Sequence, residues 1–412
     1  MQWESMGFKD DPFKTQPITA YTLDLYTGNR DKIKKSQFAL HSNNSVMVIG
    51  GERGVGTTSF GNFLRFHAQK EHKYFTPTSE IRIEPHWNAD TLMAAVIANI
   101  VSTLELQYST QIKNHQTFEA AKALIQRVTE IYRSFGASAF GFSANYGKSG
   151  GATQPMIMPT QTLAVHLENL VQIIYDLKFK YGVLIQLNNL DVGVVQNEDH
   201  LKTLLNVMRD YFQINGTSWL LVGDASLRRF IAQEIDRVDD IIAYEMDITP
   251  LSKTDYLAMI EKRIEYFRVN TKVILPVDEA VLLYLYQVTK GRLRYIFGLL
   301  NRLFNILQLG VLLDRITLEL AKPVVVNYAK ERINRFNLSS NEKLVLKTVV
   351  QQDAIQVKEI AKTLGKQGNY VSNILAQLQE YKLVSYTKEW RNHYYHASID
   401  AYIAYSEHDT KC

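Results

Sequence analysis

The stretch VMVIGGERGVGTTSF, Val46 to Phe60, holds the residue types and spacing best suited to chemistry. An apolar strand, clustered glycines and a hydroxyl pair ahead of a helical pattern outline a phosphate-binding loop of the form G-x-x-x-x-G-K-[ST]. In that frame Gly51 and Gly56 are the fixed glycines, Thr57 takes the lysine position and Thr58 the hydroxyl position. Such a loop works because glycines let backbone N–H groups curl around phosphate oxygens at the start of a helix, where the dipole favours an anion. Gly51, Gly54, Val55, Gly56, Thr57, Thr58 and Ser59 are therefore the expected contacts for ATP or ADP. Thr58 is the expected hydroxyl ligand of Mg²⁺. Thr57 supplies no ammonium for the β- and γ-phosphates. Losing one charged hydrogen bond costs about 1.5–3 kcal/mol, which binding survives and efficient phosphoryl transfer does not. A glycine turn kept only for packing is the competing reading.

A hydrolase of this kind also ends a buried strand with acids, one for Mg²⁺ and one to polarise water. Here the strand VLIQL ends in Asn188 and Asn189, with Asp191 two positions later. Both carboxylates are replaced by amides. Together with Thr57 this predicts little or no hydrolysis, Asp191 being the one acid left for a catalytic role. The alternative is that NNLD is a plain turn after a strand.

A third cluster lies near the C-terminus. SSNEKLVLKTVV, VKEIAKTLG and NYVSNILAQLQEYKLV read as three short helices, and KLVSYTKEWRNHYYHAS as two strands around a turn. This is the outline of a winged helix-turn-helix. The third helix is expected to present Asn369, Tyr370, Ser372, Asn373 and Gln377 outward, amides suiting adenine edges and hydroxyls suiting phosphates. Lys366, Lys382, Lys388 and Arg391 fall at the helix start and the wing. Five Lys/Arg against two Asp/Glu between Ala361 and His396 is a modest surplus for a DNA binder. Double-stranded DNA and a docked protein partner both fit. A stronger basic run, nine Lys/Arg against three Asp/Glu, spans Lys290 to Arg335. Either it grips phosphates without reading sequence or it is a solvated helix face. His393 and His396 face opposite sides of a strand and assemble no metal site.

The elements that must position these residues alternate. Helical TGNRDKIKKSQFAL, with Ile33, Phe38 and Leu40 as its inner face, precedes the strand VMVIG. Then come the helix SFGNFLRFHAQK, the short strand EIRIEP, and helices from about Ala89 to Leu106 and Phe118 to Phe135. The Gly/Ser/Ala-rich stretch Gly136–Pro155 reads as a loop, and its GKS at Gly147–Ser149 lacks a buried strand before it. A helix, the strand YGVLIQLNNLD, another helix and the strand SWLLVGD follow. Strand–helix alternation over this length predicts a parallel, doubly wound sheet. From Asp247 the pattern turns to helices alone. The expected division is a nucleotide-binding core over 1–245, a small helical domain over 246–335 and the winged helix over 336–412.

Composition agrees with a globular α/β protein: 46% apolar and 21% charged among 412 residues, with a net charge of +4. The single cysteine, Cys412, permits no intramolecular disulfide and no cysteine zinc site, and a reducing cytoplasm is the expected location. The N-terminus shows no secretory pattern, and no apolar run reaches the ~18 residues of a membrane span.

In its order of parts the chain resembles the AAA+ ATPases of the origin-recognition and replication-licensing family, and their bacterial relatives that join an ATPase core to a winged helix. TGNRDKI is similar to the family's G-R-x-x-E-[IL] box, with Gly28, Arg30 and Ile33 retained; that neighbourhood cradles adenine in the family. GERGVGTTS resembles its Walker A loop, and LNNLD its Walker B strand followed by the second Asp, here Asp191. VTKGRLRYIFGLL resembles the sensor-2 helix of the lid, with Gly291 and Arg294 in its G-x-x-R pattern. The resemblance implies that Arg294, or Arg292 as an alternate, reaches the γ-phosphate. The sensor-1 position falls on Asp224, where the family has Asn, Ser or Thr, and an acid there repels phosphate. An arginine finger would fall on Arg228 or Arg229 of LRRF, which otherwise read as a solvated helix end. The implied fold is an AAA+-like parallel-sheet core with a helical lid and a winged helix. The implied function is nucleotide binding with little turnover, acting as a clasp on a DNA-binding module. A catalytically dead adaptor that docks a partner protein and a low-turnover DNA-dependent ATPase are the alternatives, and a homo-oligomeric ring or filament is usual for the family.

Overall fold

The computed structural model describes residues 3–84, 87–134, 160–192, 198–269, 275–352, 354–389 and 392–406. The stretch Gly136–Pro155 with its GKS, and Arg391, lie outside them. Two compact units result, Gln16–Leu251 and a second made of Met1–Thr15 with Ser252–Cys412.

In the first unit α1 (Arg30–Ala39) leads to β1 (Val46–Gly51) and α2 (Thr57–Lys70). There follow β2 (Ile81–Arg82), α3 (Ala89–Tyr108), α4 (Gln116–Ser134), α5 (Thr160–Asp176) and β3 (Val183–Leu190). The unit closes with α6 (Glu198–Phe212), β4 (Thr217–Gly223), α7 (Leu227–Glu234), α8 (Asp236–Asp239) and β5 (Ile242–Ile248). The five strands form one sheet in the order β2-β3-β4-β1-β5, every pair parallel. β1 and β4 are buried at every residue, as strands covered on both faces must be. One face, through Met47, Ile49, Leu184 and Leu220, packs against Phe60, Leu64 and Ala68 of α2. The other, through Val48, Ile185, Trp219 and Leu221, carries residues of α3, α5, α6 and α7. Among the described residues only α3 is long and apolar enough to cross a membrane, and 72% of its apolar window is buried in this core.

Two sequence expectations fail here. Phe38, assigned to the inner face of α1 with Ile33 and Leu40, is 81% exposed; Leu40 is buried as expected, and Ser36 takes the inward position in place of Phe38. The strand β5 occupies a stretch to which the sequence pattern gave no element, and its last two residues, Asp247 and Ile248, enter the region read as helices alone. Its alternation Tyr244-Glu245-Met246-Asp247-Ile248 is the period-2 signal of a half-covered edge strand, and it extends the sheet beyond residue 245.

In the second unit α9 (Lys253–Phe267), α10 (Glu279–Val288), α11 (Leu293–Ile306) and α12 (Leu318–Asn334) make the helical part. Residues 3–15 pack into it. Phe13 is fully buried with its ring 5.5 Å from that of Phe304, and Trp3 meets Phe304 edge-on at 5.5 Å. The buried Arg263 donates to the carbonyls of Pro12 and Lys14 and lies over the Phe297 ring, and burial pushes its pKa down to about 10.

The same unit continues with α13 (Ser340–Gln352), α14 (Val357–Leu364), α15 (Gly368–Glu380), the hairpin β6 (Val384–Glu389) and β7 (Asn392–Ala397), and α16 (Ile399–Tyr405). Gly365, at φ +62°, ends α14 and turns the chain into α15. β6 and β7 pair antiparallel, and Ile355 exchanges two backbone hydrogen bonds with Tyr395 on the hairpin. This is the element order of a winged helix. α16 packs on α12, and Arg332 pairs with Asp400 at 3.1 Å.

Candidate nucleotide site and nucleic-acid face

The loop between β1 and α2 lies at the carboxyl end of the second strand in from the β5 edge, where open α/β sheets bind ligands. Its shape comes from glycine. Gly54 (φ +95°) and Gly56 (φ +105°) sit in conformations that L side chains avoid. A side chain on Gly51 would come within 2.8 Å of the Ile248 carbonyl and 2.7 Å of the Thr57 methyl. Val55, 3% exposed, anchors the loop from beneath, and its N–H donates to the Glu52 carbonyl at 3.2 Å. The Gly56 carbonyl accepts from Phe60 N–H at 2.9 Å, opening α2. The N–H groups of Thr57, Thr58 and Ser59 therefore begin the helix without intrahelical partners. Thr57 and Thr58 are half-buried. Ser59 Oγ accepts from Ile18 N–H at 3.3 Å, so that hydroxyl ties α2 to the chain preceding it.

Below the loop, Arg65 of α2 is fully buried. It donates to Pro77 O (2.9 Å), Thr76 Oγ1 (3.3 Å) and Asn62 Oδ1 (3.1 Å), and Glu80 stands 3.9 Å away. Burial pushes the guanidinium down to about 10. Asn62 in turn donates to Ile18 O at 2.8 Å. Sequence spacing gave no signal for this network, because its partners, a mix of side chains and the Pro77 and Ile18 carbonyls, are brought together by the fold.

Gln186 and Asn188 are both buried on the α2 face of β3, and Gln186 Nε2 donates to Asn188 Oδ1 at 3.0 Å. α2 crosses Gln186 at Gly61, where a Cβ would sit 2.7 Å from the amide oxygen. Asn188 lies two strand residues, about 6.6 Å, further toward the carboxyl end. Thr57 lies four helix residues, about 6 Å, back from Gly61. Asn188 therefore lies toward the end of the sheet from which α2 begins. Asn189, by contrast, is exposed at φ +66°, where the β3 register breaks. Asn tolerates the left-handed region better than most residues. Asp191 is exposed just beyond the strand.

At the end of β4, Asp224 accepts from Ser226 N–H (2.9 Å) and Ser226 Oγ (2.6 Å), closing the turn into α7. Arg228 is not a solvated helix end. It pairs with Asp247 at 2.6 Å and with Glu245, and those hydrogen bonds raise its pKa further. Arg229 also has a partner. Lys32 Nζ donates to the Asp247 carbonyl at 2.7 Å. Missing β5 in the sequence meant missing both of these partners, Glu245 and Asp247. Gly28 is buried at φ +81° before α1, and Arg30 is exposed as its first residue. Beside them Tyr26 stacks on Phe63, with centroids 4.6 Å apart. Arg294, exposed, occupies the first turn of α11 after Gly291 (φ +72°), and Arg292 is half-buried at its N-cap.

On α15, Val371, Ile374, Leu375 and Leu378 are buried, which turns Asn369, Tyr370, Ser372, Asn373 and Gln377 to the exposed face. Lys366 is exposed in the preceding turn, its Nζ 5.9 Å from the Tyr370 ring centroid. Lys382 is exposed after the helix. Lys388 belongs to β6 by its backbone, and its side chain lies outside the described residues. Among the described residues no cluster of His, Cys, Asp and Glu suits a metal ion.

A parallel sheet with a glycine loop leading into a buried helix, joined to a helical part and a helix-turn-helix, defines a phosphate-loop ATPase fold. The chain is similar to the Walker-type ATPase PABY2304 of Pyrococcus abyssi, at 11% identity and a TM-score of 0.50, covering 96% of this chain and 99% of that one. It is also similar to the Aeropyrum pernix ORC2 protein in its ADPNP-ADP complexes (14% identity, 95% and 94% covered, TM-score 0.49). A third similar structure is the Aeropyrum pernix ORC1 protein in complex with DNA (15% identity, 95% and 96% covered, TM-score 0.46). No protein-family model and no curated protein matches the sequence. The likeness to the Walker-type ATPase gives the fold alone, a parallel α/β sheet of the phosphate-loop kind, as the sequence pattern leads one to expect.

Proposed function

We propose that the chain is a nucleotide-dependent DNA-binding protein: an AAA+-like core that holds ATP or ADP with little or no hydrolysis and uses it as a conformational clasp on a winged helix. The observation that carries this reading is Asn188. It is buried near the carboxyl end of β3 and hydrogen-bonded to Gln186, and the sequence resemblance supports reading it as an amide in place of the carboxylate that hydrolysis uses. The loop glycines and the free N–H groups of the first turn of α2 support phosphate binding. Thr58 would offer its hydroxyl to Mg²⁺ carried by the nucleotide. Arg294 is the candidate for the γ-phosphate. The exposed polar face of α15, with Lys366 and Lys382, supports contact with double-stranded DNA.

Calorimetric titration of nucleotide-stripped protein with ADP and with a non-hydrolysable ATP analogue, with and without Mg²⁺, tests the first half. Micromolar or tighter binding is expected. Absence of both heat and thermal stabilisation would overturn it and favour a docking adaptor. DNA binding measured with and without nucleotide tests the clasp.

A further inference from the structure

Strand β5 is an outer strand of the sheet, bonded to β1 on one side. An edge strand keeps a row of N–H and C=O groups available to another chain. Beside it, Lys34, Lys35, Phe38 and Ala39 of α1 and Ala243 and Tyr244 of β5 line an open groove of about 410 Å³. Phe38 projects into solvent, 81% exposed, with His41 as its ring neighbour at 6.5 Å. Lys34 and Lys35 are exposed and make no ion pair among the described residues. The acids on β5, Glu245 and Asp247, are both paired with Arg228, and Lys32 is committed to the Asp247 carbonyl and to Thr249. The groove is thus apolar in lining and positive in charge.

We infer that this edge takes an extended, acidic segment of a partner protein by strand addition. Main-chain hydrogen bonds to β5 supply affinity, and alternate side chains supply specificity. Apolar residues of the segment rest on Phe38 and Tyr244, and carboxylates between them meet Lys34 and Lys35. A helix would leave the strand edge unmet. A nucleic acid would use the lysines and leave Phe38 and the edge idle.

Fluorescence anisotropy with the full chain tests this. The probes are a short labelled peptide alternating Glu with Val, its Lys–Val counterpart, and a Glu–Val version interrupted by prolines. The Glu–Val peptide is expected to bind about tenfold more tightly than either of the others. Lys34→Glu with Lys35→Glu should reverse the charge preference. Phe38→Ser should weaken binding about tenfold, with thermal melting unchanged because the side chain is exposed. Failure of the Glu–Val peptide to bind, equal binding of all three peptides, or indifference to both variants overturns the proposal. So does sedimentation that shows concentration-dependent self-association lost in Phe38→Ser, which would make the edge a contact between copies of this chain.

Discussion

The loop at the end of β1 and the exposed face of α15 are built on opposite principles. At the loop the backbone carries the design: glycines at φ +95° and +105° and a buried valine hold N–H groups in place, and the side chains that would add charge are missing. On α15 the backbone is an ordinary helix. Whatever that face recognises is set by exposed polar side chains, Asn369, Tyr370, Ser372, Asn373 and Gln377 among them, opposite a buried apolar stripe. A backbone site is therefore sensitive to what lies beneath it, and a side-chain site to what projects from it.

Substitutions that break or sharpen this contrast can be ranked. Arg65→Met beneath the loop removes a fully buried guanidinium with three hydrogen-bond acceptors. It is expected to cost about 3–5 kcal/mol of stability by chemical denaturation, whereas Tyr370→Ala on α15 should cost under about 0.5 kcal/mol. Gly56→Val forces a β-branched residue to φ +105° and should weaken nucleotide binding about a hundredfold or more by calorimetry. Thr57→Lys restores one charged hydrogen bond and should tighten nucleotide binding about tenfold to a hundredfold without strong hydrolysis. Robust phosphate release from that single change would show that Asn188 and Asn189 do not limit turnover. Asn373→Ala should weaken DNA binding by about 1–3 kcal/mol at the preferred site, and Lys366→Ala should lower the salt slope by about 1.

The smallest effect concerns Asp400, whose carboxyl burial raises above the ordinary range despite Arg332 at 3.1 Å. Its proton is held more tightly in the folded than in the unfolded chain. The stability it adds is full below the ordinary carboxylate pKa and is lost as pH rises through the raised value. Asp400→Asn should flatten the melting temperature against pH across that window, by under about 1 kcal/mol at neutral pH.

Four of the five strands and the glycine loop were legible because they rest on local pattern: continuous apolar runs for β1, β3 and β4, alternation for β2, and glycines at fixed offsets. β5 went unread because its acidic alternation resembles the start of a polar helical region, and its partner Arg228 was then read as an arginine finger or a solvated helix end. Asn188 could be named from spacing, but its burial and its bond to Gln186 depend on where α2 crosses the sheet. Arg263 answers to the backbone carbonyls of Pro12 and Lys14, far back along the chain, and no side-chain pattern announces such partners.

The packing of residues 3–15 against Phe297 and Phe304 sets an order in time. At about 5–20 residues per second, Phe13 leaves the ribosome roughly 15–60 s before the rings that will bury it. The Gln16–Leu251 sheet can be complete by then, so these first residues wait, exposed and aromatic, for the last third of the chain. A truncation that trims them as a loose tail would remove part of a hydrophobic core.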